Sequence, residues 1–265
     1  MSFKLQILGT ASAMPISERN SSAQVLDVHG RLFLIDCGEG TQKRLRQMHL
    51  SMLRIEAVFI SHIHGDHVFG LFGLLSTMAM YNRQQTLHIF GPEALRSILN
   101  FYLSFFGEGS NYEIEFHEVK AKSLEEIYDN GKVKVSAFPL KHKIECYGYR
   151  FDELLSERQL LKRSPSSYAY CSDTMAFPQL ADYVRGVKLL YHESTYTMEM
   201  EQKASQFFHS TTKDAATCAL QAGVEKLIIG HYSSRIRDIS VFEKECRDFF
   251  PNSVAADDCD VFEID

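Results

Sequence analysis

The sequence predicts a layered α/β protein built on mixed sheets, and three observations predict it. Short apolar runs of strand length recur along the whole chain. Segments with helical spacing of apolar residues lie between or after them. The strand runs dominate the first half without strict strand–helix alternation, which argues against a simple doubly wound sheet. With 265 residues, 45% of them hydrophobic, the chain can bury a sizeable core.

In chain order, the strand runs are "FKLQILG", "AQVLDV", "RLFLIDCG", "EAVFISH", "TLHIFG", "YEIEFHEV", "KVKVSAFPL", "CYGYRF", "SYAYCSD", "VKLLYHE" and "EKLIIGH". Each is a short apolar run of strand length. Helical patterns cover 39–49, 67–80, 92–104, 177–185, 211–222 and 240–250. The opening "MSFKLQILGTASAMP" reads as a strand followed by a glycine turn, its apolar core being too short for a signal peptide. No repeat of fixed period or low-complexity tract interrupts the chain, which reads as one domain over 1–265. The most polar, least patterned segment is 152–167, "DELLSERQLLKRSPSS", the best candidate for a protruding loop or altered connection.

Bulk properties narrow the function. No apolar run reaches the roughly 18–20 residues that span a bilayer. A net charge of -6 rules out a generic polyanion binder, so a nucleic-acid substrate would need a local basic surface. The six cysteines form no CxxC pair and read as free thiols of a reducing compartment, which predicts a cytoplasmic protein.

Many strand runs end in a chemically capable residue: Asp36, His62, Asp173, His192 with Glu193, and His231. Strand ends are where α/β proteins hold ligands and catalytic groups. The densest case is "SHIHGDH", residues 61–67. His62 and His64 are two apart, so an extended chain points both to one side. Gly65 permits a turn, and Asp66 and His67 open a helix. Imidazole and carboxylate are the usual N and O ligands of zinc-like ions. One ion would take His62 and His64 and a second Asp66 and His67, each needing further ligands from His142, Asp173 and His231. His29, His49, His88 and His117 read as ordinary core or surface histidines.

"SHIHGDH" resembles the HxHxDH signature of the metallo-β-lactamase superfamily. Taken with "ILGTASAMP", "ERNSSAQVL", "LIDCGEGTQKRL", "HESTY", "HSTTKDAA", "LIIGHYSSR" and "FPNSVAADD", the chain resembles the ribonuclease Z family, the tRNA 3′-processing endonucleases, over almost its whole length. The resemblance implies a four-layer αββα sandwich with metals at one edge between two sheets. It implies His62, His64 and His142 on one metal, Asp66, His67 and His231 on the other, and Asp173 bridging. Two divalent ions of that kind, zinc by the ligand set although manganese and iron suit it too, support hydroxide attack on a phosphodiester. Asp66 is then the orienter or general base for the nucleophile. By the resemblance His209 is the general acid for the leaving oxygen, with Glu193 orienting it or raising its pKa. By the residues alone His209 also reads as a neighbour of the N-cap where "STTKDAA" starts a helix, and Glu193 as a solvated strand-end carboxylate. Asp36 reads as orienting a ligand histidine, or as a turn aspartate. The "GEG" beside it reads as backbone geometry before a helix rather than a phosphate loop.

The implied reaction removes the 3′ trailer from precursor tRNA, leaving a 3′-hydroxyl on the tRNA, and the implied assembly is a homodimer with no membrane partner. Lys43, Arg44, Arg46 and Arg54 are candidates for a local RNA footprint. The sequence departs from the family between His142 and Asp173, where a long Gly/Pro-rich arm usually grips the tRNA elbow. Only 30 residues separate the two positions here, and 152–167 stands where the arm should be. Arg158, Lys162 and Arg163 are candidates for a reduced basic contact. The missing arm favours an alternative, a small-molecule or cyclic-nucleotide phosphodiesterase on the same scaffold, while the "HEST…HSTT" pair favours the nuclease. A thioester or lactam hydrolase would not need His209 and Glu193, and a scaffold protein that had lost catalysis would not keep all seven metal-site residues.

Overall fold

In a computed structural model, the structure describes residues 3–107 and 111–264, and the chain divides into two compact units. The first comprises Met1–Lys120 and Asp257–Phe262, the second Ala121–Ala256 and Glu263–Asp265. Each is built on a seven-stranded mixed sheet.

The sheet of the first unit uses β1 (Phe3–Gly9), β2 (Ala23–Val28), β3 (Arg31–Ile35), β4 (Ile55–Phe59), β5 (Leu87–Gly91) and β6 (Ile114–Glu118), in that order, with Val261–Glu263 beside β1. β1, β2 and β3 run antiparallel, and β3 through β6 run parallel. Its helices are α1 (Thr41–Gln47), α2 (Gly65–Val68), α3 (Leu71–Met80) and α4 (Ala94–Phe106). One face of the sheet packs Val25, Leu34, Val58 and Ile89 against Leu45 of α1, Leu71, Leu75 and Met78 of α3, and Leu95 and Leu99 of α4. On the other side chain set, Phe59 and Phe90 stack at 4.9 Å. Strands buried on both faces read as continuous apolar runs, which is how "LFLI" and "AVFI" stand in the sequence.

The second sheet runs β7 (Glu125–Asp129), β8 (Val133–Pro139), β9 (Tyr147–Glu153), β10 (Ser167–Cys171), β11 (Leu189–Glu193), β12 (Lys226–Gly230) and β13 (Ser253–Ala255), again in that order. β7 to β10 are antiparallel and β10 to β13 parallel. Around it lie α5 (Glu157–Leu160), α6 (Leu180–Tyr183), α7 (Glu201–Phe207), α8 (Thr212–Ala222) and α9 (Ser240–Arg247). Ala215, Ala216 and Ala219 of α8 and Phe242 and Cys246 of α9 pack on Leu190, Leu227 and Ile229.

The expected fold class, an α/β protein of two mixed sheets with flanking helices, is the one observed. Three local readings change. The helical stretch expected at 67–80 is two helices, broken at Gly70, whose backbone sits so close to Gly38 that a Cβ there would lie 2.1 Å from the Gly38 carbonyl. The acidic β7 and the polar α7 carry too little apolar periodicity to stand out in sequence. The 177–185 pattern is helical only over Leu180–Tyr183.

The segment 152–167 is a tight connection rather than an arm. β9 and β10 pair up to Asp152 and Ser167, and α5 fills the turn with a Ser156–Gln159 capping box. Buried Glu153 closes its base by accepting from Arg163 and from the Ser166 amide at 2.9 Å.

Candidate metal centre

In the first unit the "HIHGDH" loop leaves the end of β4. Asp36, at the end of β3, takes a left-handed backbone with φ of 55° and is fully buried. Its Oδ1 accepts from the Ser61 amide at 2.7 Å, and its Oδ2 accepts from Ser61 Oγ at 2.9 Å. The same Oδ2 lies 2.8 Å from His67 Nδ1. Ser61 Oγ in turn meets His62 Nδ1 at 2.9 Å. Both imidazoles are therefore held through Nδ1, which leaves Nε2 to the site. His62 Nε2 lies 3.0 Å from His64 Nδ1, and His67 Nε2 lies 3.5 Å from Asp66 Oδ2. The Ala13 amide donates to that same Asp66 oxygen at 2.7 Å. Gly38 lets the "GEG" backbone approach this loop: a Cβ there would fall 2.3 Å from the Asp66 carbonyl. The glycines serve backbone proximity, as the sequence suggests.

In the second unit the residues again come from strand ends. Asp173 follows β10, Glu193 ends β11, and His231 follows β12 with a left-handed φ of 63°. His142 lies beyond β8. Asp173 faces a different histidine with each oxygen: Oδ1 is 3.2 Å from His231 Nε2, and Oδ2 is 3.7 Å from His142 Nε2. His231 Nδ1 meets Thr195 Oγ1 at 2.9 Å, and His142 Nδ1 donates to the Phe208 carbonyl at 3.0 Å. Four of the histidines thus show one pattern, Nδ1 anchored by the protein and Nε2 presented.

The donor set fits divalent metal ions. Neutral imidazoles fixed by an oxygen partner on the far nitrogen are the usual form of a metal-ligating histidine. The carboxylate of Asp173, turned with one oxygen toward each of two such histidines, suits a position shared by two ions.

Glu193 is fully buried, and its carboxylate is saturated. It accepts from the amides of Thr174 (3.1 Å), Thr195 (2.9 Å) and Ser210 (2.9 Å), and from Thr195 Oγ1 at 2.8 Å. His209 Nδ1 completes the set at 2.9 Å. Burial alone would raise the Glu193 pKa, but the charge and hydrogen bond of His209 outweigh it, and the group stays below the ordinary carboxylate range. His209 lies two residues before Thr211, which caps α8 in a box with Asp214.

All nine expected site residues fall into these two local sets: His62, His64, Asp66 and His67 in the first unit, and His142, Asp173, Glu193, His209 and His231 in the second. The supporting partners Ser61, Thr195 and the Phe208 carbonyl escape sequence reasoning. Ser61 and Thr195 are flagged only by adjacency to His62 and Glu193, and a carbonyl carries no side-chain signal. Of the basic candidates, Arg44 is paired to Asp258 at 2.9 Å and Arg54 is bonded to the Gly30 carbonyl at 2.9 Å. Arg163 is committed to Glu153.

This architecture, with His/Asp sets at the strand ends, defines a metallo-β-lactamase-fold protein with a metal-binding donor set. The chain is similar to the crystal structure of human tRNase Z, short form, with a TM-score of 0.83 and 28% identity over 99% of each chain. It is 36% identical to Ribonuclease Z of Bacteroides fragilis strain YCH46, covering 96% of both chains, and 36% identical to Ribonuclease Z of Porphyromonas gingivalis strain W83, covering 97% of both. A family model described as Anti-Pycsar protein Apyc1 matches residues 3–250. The chain belongs to the ribonuclease Z family. The Bacteroides alignment runs over 293 positions, so that relative carries at least 28 (293 less 265) with no counterpart in this chain.

Proposed function

We infer that this protein is a metal-dependent tRNA 3′-processing endoribonuclease, a hydrolase of phosphodiester bonds. The observation that carries the reading is the near full-length relationship to ribonuclease Z together with the pairing of half-buried His209 with buried Glu193 at 2.9 Å. A hydrolase needing only a metal-activated nucleophile has no use for such a pair. Cleavage that must expel a ribose oxygen needs a proton donor.

His62, His64 and His142 would hold one divalent ion and Asp66, His67 and His231 a second, with Asp173 shared. The N/O donor set favours zinc. Two such ions supply a low-pKa water and neutralise charge on the phosphate. Asp66, fixed by the Ala13 amide, orients the attacking water and takes up the proton it sheds. As the water oxygen bonds to phosphorus, the bond to the ribose 3′ oxygen breaks. His209 gives that oxygen its proton, and Glu193 holds the imidazole through Nδ1. The products are a tRNA 3′-hydroxyl and a 5′-phosphorylated trailer.

The protein acts as a homodimer in this reading. The support is an aromatic cluster on α4: Phe101, Phe105 and Phe106 are 52%, 69% and 57% exposed, and Phe101 and Phe105 touch with centroids 4.9 Å apart. Contiguous exposed apolar surface of this kind marks a partner face. Among the described residues no helix is long and apolar enough to cross a membrane. Six free cysteines suit a reducing, cytoplasmic setting.

The short connection between β9 and β10 favours a second reading, a hydrolase of small or cyclic phosphodiesters. Cleavage of a labelled precursor tRNA bearing a 3′ trailer, mapped to the nucleotide, separates the two. A metal-dependent cut beside the discriminator base, absent in His64→Ala, is expected. No cut, with turnover of a small phosphodiester, would replace the nuclease by the second reading.

A further inference from the structure

The sequence sets His88 and His117 aside, but the fold brings them together. β5 and β6 are parallel neighbours, with His88 opposite Glu115 and Phe90 opposite His117. On β6, Ile114 and Phe116 join the helix-side core, so by alternation Glu115 and His117 lie on the opposite face. His88 Nδ1 is 3.1 Å from His117 Nε2. The Glu115 carboxylate reaches both rings, with Oε2 at 3.3 Å from His88 Nδ1 and Oε1 at 3.7 Å from His117 Nε2.

These spacings lie close to those of a metal shell. Bonds of about 2.0–2.2 Å around a tetrahedral ion place neighbouring ligand atoms about 3.3–3.6 Å apart. Small adjustments of three side chains bring the donors onto such a shell. The ring of His117 is already held by stacking on Phe90, with centroids 4.4 Å apart and planes 14° from parallel. Burial also lowers the His117 pKa, against the opposing pull of Glu115, which favours the neutral ligand form. The side chains of His88, His117 and Glu115 are 30%, 33% and 51% exposed, so an ion can enter and water can fill its remaining position.

We propose that His88, Glu115 and His117 form a third divalent-metal site, of the zinc class, separate from the His/Asp centre. Among the described residues β6 pairs only with β5, and the ion ties this edge strand to it. An edge strand has pairing on one side only, so a cross-strand ion there stabilises the part of the sheet that opens most readily.

The test counts zinc. The full chain is stripped with a chelator, dialysed against buffered zinc, and assayed by atomic emission alongside a Glu115→Gln/His117→Gln variant. The variant is expected to hold one equivalent less, with phosphodiester cleavage unchanged. Equal zinc content would overturn the site. So would a fall in activity that tracks the lost zinc, because the ion would then belong to the catalytic centre. Glu115→Gln alone changes an exposed side chain and does not threaten folding. It should raise the free zinc that half-fills this equivalent by at least about tenfold, the lower end of the cost of losing even a supporting partner. An unchanged midpoint would also overturn the proposal.

Discussion

Asp36 Oδ2 lies 2.8 Å from His67 Nδ1 while the same carboxylate accepts two hydrogen bonds from Ser61. All three neighbours are donors, so the position demands a group that only accepts. Asp36→Asn puts an NH₂ against one of them. The expected outcome is a loss of zinc affinity of about 10–100-fold with the fold retained. Competition against a chromophoric chelator measures it, and affinity equal to wild type would remove the orienting role.

His209→Ala should lower kcat by about 10²–10⁴-fold, the usual contribution of a positioned proton donor. Zinc content and KM should barely move. Glu193→Gln should act in the same direction through the lost anchor on His209. Single-turnover cleavage of precursor tRNA checks both. If a substrate whose leaving oxygen needs no proton slows equally, His209 is not the acid.

Metal removal should destabilise the protein. An ion present at about a thousandfold over its Kd contributes about 4 kcal/mol, which in a chain of this size corresponds to roughly 8–16 °C in Tm. Thermal unfolding with and without chelator, followed by zinc addition, should show that drop and its recovery. A Tm indifferent to chelator would argue against any tightly held ion.

His192 gives the stability a pH dependence of known sign. Its burial lowers the imidazole pKa from the ordinary 6.5, against the Glu193 carbonyl and the charges of Glu193 and Asp214, which act the other way. Below 6.5 the unfolded chain takes up a proton that the folded chain refuses. The contribution is therefore full above that pH and is lost as pH falls toward the folded value. Urea midpoints at about pH 7.5 and about pH 5.5 should differ less in His192→Gln than in the parent. An unchanged difference would assign the acid sensitivity elsewhere.

Phe105→Asp, placed in the exposed aromatic cluster of α4, should shift the protein to monomer in sedimentation equilibrium without lowering Tm. A dimer that survives the charge would move the interface to another surface.

Much of this was legible in the sequence because the chemistry sits at strand ends. "LIDCG", "LLYHE" and "LIIGH" each announce a buried strand and then a polar residue, and the structure places Asp36, Glu193 and His231 there. The HIHGDH loop was legible for its density alone. What stayed hidden depends on register or on the backbone. His88 and His117 are 29 positions apart and meet only because two strands run parallel. The Phe208 carbonyl that anchors His142 belongs to every residue type alike. β7 and α7 carry mostly polar side chains, so neither period emerges from the noise.

The tight base under 154–166 has an evolutionary consequence. β9 and β10 are zipped up to Asp152 and Ser167, and the Glu153–Arg163 and Glu153–Ser166 bonds seal the neck. Chain length beyond a sealed neck costs only logarithmically more closure entropy. The neck is therefore a splice port: a lineage can lengthen or shed whatever protrudes there while the sheet beneath keeps its register. Substrate reach and catalytic chemistry can evolve on separate clocks in this scaffold, and a substrate-gripping segment grafted between Leu154 and Ser164 would meet a frame already built to carry it.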